Sequence, residues 1–268
     1  MKERTCYVDQ FEYWTNQGRG RGEFAQYRPW LTVFDAKSYA GCDRIWSRKL
    51  RRVVHLLSQG EVNAFRLLEW RSNVVDIREQ FPLDPINTQD ICREMKLRHP
   101  SVSGRNVVMT TDFLVTILNA DGSLRHEAIQ VKDKKETLAN PRTNSKLQVE
   151  WRYWQRKGIR WSVWLSSDFP QIAIRNLKVL CPFRNQLSAL GESDFELMNW
   201  IAREATLGCP DLLFAQADER FAVGSFEMSL QDILKHLVAR RLWTFPISDK
   251  LITDSRLGDF TRRAGHDC

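Results

Sequence analysis

Two apolar runs joined by a short polar turn constrain this chain more than anything else in it. The first, Val107-Val108-Met109-Thr110-Thr111-Asp112-Phe113-Leu114-Val115-Thr116-Ile117-Leu118, is rich in β-branched residues and reads as a buried strand; the second, Glu127-Ala128-Ile129-Gln130-Val131-Lys132, reads as its neighbour. Between them Asn119-Ala120-Asp121-Gly122-Ser123 contains Asp-Gly, a strong hairpin signal. Folding about Asp121 places Asp112 opposite Gln130, to within one residue. Lys132, two positions beyond Gln130, projects from the same face of the strand. An acid, an amide oxygen and a lysine then converge on an apolar sheet, an arrangement that holds a hard divalent cation against a phosphate. The hairpin alone also admits a plainer reading, in which Asp112 faces solvent at a bulge and Lys132 blocks an edge strand.

Upstream, Ser58-Gln59-Gly60-Glu61 opens a helix expected to run to about Trp70. Ser-x-x-Glu is a capping box, so Glu61 has a structural role available. At 100° per residue, however, Val62, Ala64, Phe65 and Leu68 define the apolar face, and Glu61 falls near its centre. A carboxylate on a buried stripe is costly unless it meets a cation or hydrogen-bond donors. Capping and metal binding both stand as readings of this residue.

Taken together, these stretches resemble the TnsA family, the endonuclease subunits of heteromeric TnsA–TnsB cut-and-paste transposases. The similarity runs through Arg28-Pro29-Trp30-Leu31-Thr32-Val33, His55-Leu56-Leu57-Ser58 with Glu61, Leu68-Glu69-Trp70 and Asp76-Ile77-Arg78-Glu79-Gln80-Phe81-Pro82-Leu83. It continues in Thr111-Asp112-Phe113-Leu114-Val115, Ile129-Gln130-Val131-Lys132 and Arg152-Tyr153-Trp154-Gln155. It covers roughly residues 28–165, with the order and spacing of the pieces making the match specific. The resemblance implies an α/β, restriction-endonuclease-like fold: a mixed sheet with flanking helices. It implies catalytic roles for Glu61, Asp112, Gln130 and Lys132, and two magnesium ions held by Glu61, Asp112, the Gln130 amide and the Val131 carbonyl. In the broader nuclease superfamily the position of Gln130 is usually Asp or Glu; glutamine is the TnsA form. The implied reaction is hydrolysis of the 5′ strand at the ends of a transposon, with a TnsB-type transposase acting on the 3′ strand and a TnsC-type ATP-dependent regulator contacting the C-terminal region. The rival readings are a stand-alone restriction-type endonuclease and a catalytically silent DNA-binding adaptor.

The charge distribution fits a nucleic-acid partner. The net charge is +7; residues 1–170 hold 28 Lys and Arg against 20 Asp and Glu, whereas residues 171–268 hold 12 against 13. A basic front and a neutral back place DNA at the front and protein contacts at the back. Arg44, Arg48, Lys49, Arg51 and Arg52 surround Trp46 and form the first expected DNA-backbone surface; Lys134 and Lys135, in a charged loop just past Lys132, extend it. The six cysteines are far apart with no C-x-x-C pair, and the five histidines are scattered, so a zinc site is not expected and thiols in a reducing cytoplasm are. No secretory signal, membrane-length apolar run or GxxxxGK[ST] loop is present.

Four segments are expected. Residues 1–27, with Gly18-Arg19-Gly20-Arg21-Gly22, read as a flexible N-terminal arm. Residues 28–170 read as the catalytic domain, with a strand over 73–81, a helix over about 145–157 and a strand over 159–165 that completes a strand–helix–strand crossover. In that helix Leu147, Trp151 and Trp154 are the expected core stripe; Glu150 reads either as a solvent-facing partner of a nearby Arg or Lys, the preferred reading, or as an acid standing behind the site. Residues 171–249 read as a small winged-helix-like, partner-binding domain, with a helix over 195–207 (Phe195, Met198, Ile201 and Ala202 inward), another from Ser229 to Arg241, and a short strand over 242–245. Residues 250–268 read as a flexible polar tail.

Overall fold

The hairpin expected about Asp121 forms the middle of a four-stranded sheet. The computed structural model describes residues 7–36, 41–185 and 190–263 and divides the chain into two units, residues 1–169 and 170–268. The outermost parts of the expected arm and tail, with Cys6 and Cys268, lie outside the described residues.

In chain order the first unit contains α1 (Phe11–Asn16), β1 (Asp43–Ser47), β2 (Arg52–Leu56), α2 (Gln59–Trp70), β3 (Val74–Pro82), α3 (Pro85–Glu94), β4 (Ser101–Val102) and β5 (Arg105–Asn106). It continues with β6 (Thr110–Leu118), β7 (Leu124–Lys132), α4 (Lys135–Leu138), α5 (Pro141–Arg156) and β8 (Arg160–Leu165). The main sheet has the order β3-β6-β7-β8. β6 is antiparallel to both β3 and β7, and the crossover through α5 makes β8 parallel to β7. This is the mixed sheet with flanking helices of a restriction-endonuclease-like domain. On one side α3 and α5 bury Leu83, Ile91, Leu114, Ala128, Val149, Tyr153 and Trp154 together. α2 packs on β3 and β7 and buries Val62, Ala64, Phe65 and Leu68.

α5 begins four residues before the expected start, because Asn140 caps it by accepting from the Arg142 and Thr143 N–H groups and Pro141 occupies its first position. Its buried face also differs from the expected one. Val149, Glu150, Tyr153 and Trp154 are buried, whereas Trp151 is 45% exposed and Leu147 half-buried. Glu150 takes an interior position because two donors meet its carboxylate there: Thr111 Oγ1 at 2.6 Å and Trp161 Nε1 at 2.9 Å.

Residues 8–36 do not behave as an arm. Trp14 and Trp30 pack with Val108 as a small core, Arg19 stacks 4.1 Å above the Trp14 ring, and Arg19 Nη1 donates to Asp35 and to the Trp30 carbonyl. The Gly-Arg stretch is a structured turn: Gly18, Gly20 and Gly22 all have positive φ, and a β-carbon on Gly20 would come within 2.3 Å of the Pro82 ring. This segment lies along β3, with Trp30 N–H donating to the Gln80 carbonyl and Tyr27 Oη to the Glu79 carbonyl.

The second unit contains α6 (Gln171–Asn185), α7 (Glu192–Gly208), β9 (Arg220–Val223), β10 (Phe226–Ser229), α8 (Leu230–Ala239), β11 (Trp243–Thr244) and β12 (Thr261–Arg262). α7 and α8 form where the apolar periodicity placed them, with Met198, Ile201 and Ala202 buried on the first and Ser229 capping the second. Residues 250–263, the described part of the expected tail, are packed: β12 pairs with β11, and Phe260 is buried between Phe214 and Phe245, centroids 5.5 and 4.9 Å away. Burying one such ring contributes about 1.5–3 kcal/mol, enough to hold an otherwise polar segment.

Candidate active site

Three neighbouring strands bring the site together in a row. The ladder pairs Phe113 with Ile129 on one side and flanks Asp112 by the pairs Glu79–Phe113 and Phe81–Thr111 on the other, so Asp112 lies between Gln80 of β3 and Gln130 of β7. The Asp112 carboxylate accepts from Val131 N–H at 2.7 Å, and Asp112 N–H donates to Gln130 Oε1 at 3.3 Å. Asp112 is thus buried, not solvent-facing. Lys132 is half-buried at the strand end, with Nζ 2.8 Å from the Val131 carbonyl oxygen.

The fourth residue arrives from α2. Gly60 lets the first turn of α2 approach β7 closely: a β-carbon there would lie 3.2 Å from Val131 Cγ1 and 3.4 Å from both Asp133 Oδ1 and Ser166 Cβ. Ser58 caps the helix by accepting from Glu61 N–H, while the Glu61 carboxylate accepts from Ser58 Oγ at 3.0 Å and from Leu57 N–H at 2.9 Å. Capping and site membership are therefore not alternatives. The same buried carboxylate that ties down the helix entry also meets Asp112 through Gln80.

Gln80 escaped sequence reasoning. Its Nε2 donates to Glu61 Oε2 at 3.2 Å and to Asp112 Oδ1 at 3.4 Å, and its Oε1 accepts from Thr110 Oγ1 at 3.1 Å. It is 3% exposed and has φ of +47°, a left-handed conformation that a non-glycine strand residue rarely adopts. Nothing in the pattern of 73–81 signals this; only the strand register reveals that Gln80 faces Asp112.

The electrostatics follow from burial. Desolvation, then the negative charge of Asp112, pushes the Glu61 carboxyl up to about 8, against the pull of its hydrogen bonds. Burial likewise raises Asp112, opposed by the Lys132 ammonium, the Val131 N–H and the two glutamines. Glu150 is also pushed up to about 8 by burial, with Thr111 and Trp161 opposing; Thr111, which it contacts, precedes Asp112 in the chain. Two adjacent acids that resist ionising together form a site that gains from a cation. The groups that could hold one, Glu61, Asp112, the Gln130 amide and the Val131 carbonyl, offer only oxygen, the donor type that suits magnesium. Among the described residues no group of three or more His, Cys, Asp or Glu is placed to hold a metal, so the neutral oxygens are needed to complete such a set.

The expected DNA-contact residues divide. Arg44, Arg48 and Arg51 are exposed on the β1–β2 hairpin, as are Lys134 and Lys135 beyond β7. Arg44 lies over the Phe34 ring, and Trp46 is 50% exposed. Arg52 does not belong with them. It is buried, with both Nη atoms on the Glu79 carboxylate at 2.7 and 2.6 Å and further bonds to the Ile77 and Phe24 carbonyls. Lys49 is also engaged, donating to the Arg71 carbonyl just past α2 and to the Val74 carbonyl at the start of β3. Arg52 alternates with Val53 along β2, so the inward position falls to the arginine and the 41%-exposed one to the valine.

A mixed sheet with an acid on α2, an acid on an inner strand and Gln-x-Lys on the next strand defines a nuclease-type domain of the restriction-endonuclease-like class. Residues 71–165 match the family of TnsA-like endonuclease N-terminal domains. The chain is also similar to the transposon Tn7 transposition protein TnsA of Escherichia coli, 43% identical over 164 residues, which cover 61% of this chain and 59% of that protein. Both matches agree with the family resemblance seen in the sequence. No helix among the described residues is long and apolar enough to cross a membrane.

Proposed function

We propose that this protein is a magnesium-dependent DNA endonuclease that cuts the 5′ strand at transposon ends, working with a TnsB-type transposase and a TnsC-type ATP-dependent regulator. The observation that carries the reading is the meeting of Glu61 and Asp112, from different elements, in one buried site beside Gln130, the Val131 carbonyl and Lys132. Glu61 and Asp112 would hold the ions, two as the family resemblance implies, with Gln130 and Val131 supplying neutral oxygens. Magnesium held by these residues would supply Lewis-acid chemistry, polarisation of the scissile phosphate and a lowered pKa of a bound water. The Lys132 ammonium, at the rim of the site, stabilises the negative charge that builds on the phosphate. Gln130 and the Val131 N–H orient Asp112, and burial by the sheet keeps bulk water from screening these charges.

In the same reading, Arg44, Arg48, Arg51, Lys134 and Lys135 carry the DNA backbone to the site. The second unit, winged-helix-like in its helices and short ribbons, is the partner-binding part. Its near-neutral charge favours protein over DNA, so recognition of the end sequence falls to the transposase.

The test is nicking of transposon-end DNA by the parent, Asp112→Ala and Lys132→Ala, with and without magnesium and a co-encoded transposase. The parent should nick the 5′ strand only with magnesium, and far better with the transposase. Asp112→Ala should be silent yet folded, and Lys132→Ala should lose about 10²–10³-fold in rate while metal binding persists. Equal cleavage by parent and Asp112→Ala would rule out the site; robust sequence-specific cutting without the transposase would favour a stand-alone enzyme.

A further inference from the structure

The two carboxylates proposed to hold the cation are joined by the side chain of a third residue. Gln80 presents one amide nitrogen to Glu61 Oε2 and Asp112 Oδ1, at 3.2 and 3.4 Å. Its orientation is set by its other end, where Oε1 accepts from Thr110 Oγ1. A glutamine amide has donors on nitrogen and only acceptors on oxygen, so this arrangement commits the donors to the acids. The backbone is constrained too. Gln80 sits opposite Asp112 on the edge strand of the main sheet, its φ of +47° is held while Trp30 N–H binds its carbonyl, and it is almost wholly buried. A strained, buried, polar residue of this kind persists only where its surroundings over-determine it, and such residues cluster at functional sites.

We infer that Gln80 is a positioning residue that stands in for the cation: its amide holds Glu61 and Asp112 together in the metal-free protein and competes with the metal for the same two oxygens. The inference rests on the proposed role of Glu61 and Asp112 as metal ligands. Its chemistry is a comparison of two states. Without metal, the amide nitrogen serves an oxygen of each acid. With metal, the ion's charge serves those oxygens, and the amide must yield them. Those hydrogen bonds count in the first state and are given up in the second, so Gln80 lowers metal affinity while stabilising the site without its ion. A residue that merely shaped the site for metal would do the opposite, since its loss would weaken binding.

The experiment measures Mn²⁺ and Mg²⁺ affinity by titration calorimetry on the full chain, together with melting temperature in EDTA and in saturating Mg²⁺. Gln80→Met keeps the length of the side chain and removes the donors. Gln80→Asn tolerates positive φ but is one methylene short, and it reports on the same contacts if the methionine variant does not fold. Both should bind metal about tenfold more tightly than the parent, and should melt lower than the parent in EDTA, with the gap narrowing in Mg²⁺. Unchanged or weaker metal binding in the variants, beside normal binding by the parent, overturns the inference and leaves the nuclease site standing. A parent that binds neither ion overturns both.

Discussion

At the scale of single residues, Glu61 combines two tasks whose requirements differ. Its hydrogen bonds from Leu57 N–H and Ser58 Oγ need only an acceptor oxygen, which glutamine also offers. Its proposed role toward the cation needs a charge. Glu61→Gln should therefore lose DNA cleavage while keeping the fold. The metal-free variant should also respond differently to pH. In the parent, the Glu61 carboxyl is pushed up to about 8 by burial and by Asp112, so the folded state holds a proton that the unfolded chain has released. Parent stability thus falls as pH rises from the unfolded value through about 8, a loss the glutamine variant is spared. Melting curves in EDTA should show the variant above the parent at pH 9 and close to it near pH 4. Retained cleavage would reduce Glu61 to a helix cap.

Among elements, the β1–β2 hairpin shows most clearly what the sequence discloses and what it conceals. Its cluster of cations reads as one DNA-facing surface, but a strand sends alternate side chains to opposite sides. Arg44 and the turn residues Arg48 and Arg51 are outward, and Arg52 is inward on Glu79. Arg52→Ala should consequently destabilise the protein by about 3–5 kcal/mol, because it strands a buried carboxylate. Arg51→Ala should instead leave stability nearly unchanged and weaken DNA binding in a salt-dependent way. Denaturant melts paired with binding isotherms separate the two, and comparable stability losses in both variants would refute the division. The Asp112–Gln130 register was legible because Asp-Gly fixes the turn between two apolar runs. α2 and its acid were legible from helical spacing. Gln80 and Glu150 were not, since each is a polar residue whose burial is decided by long-range partners: Asp112 and Glu61 for one, Thr111 and Trp161 for the other. The N-terminal segment misled for a related reason, as positive-φ glycines serve a fixed turn as readily as a flexible linker.

Across the whole molecule, the two units carry buried titratable groups of opposite kinds. The first holds Glu150, pushed up to about 8 by burial, and loses stability as pH climbs towards that value. The second holds His236 on α8, edge-on to Phe183 at 4.8 Å, which burial and then the Arg240 guanidinium push down to about 4. There the unfolded chain takes up protons between about 6.5 and 4 that the folded unit refuses, so stability is lost as pH falls through that window. Hydrogen exchange of the metal-free protein, corrected for intrinsic rates, should find the second unit least protected near pH 4.5 and the first near pH 9; a single pH slope shared by both would contradict this. Finally, the packing of residues 14–30 along β3 bears on how the enzyme is cut down for study. The matched family segment begins at residue 71, after Glu61 and after every residue that covers that sheet edge. A fragment trimmed to those limits would lose one of its two central acids along with α2. It would also bare the backbone of β3 as an open template for intermolecular pairing. An inactive, aggregating fragment of that kind would say nothing against the chemistry, because the proposed catalytic centre extends well beyond the border of the matched segment.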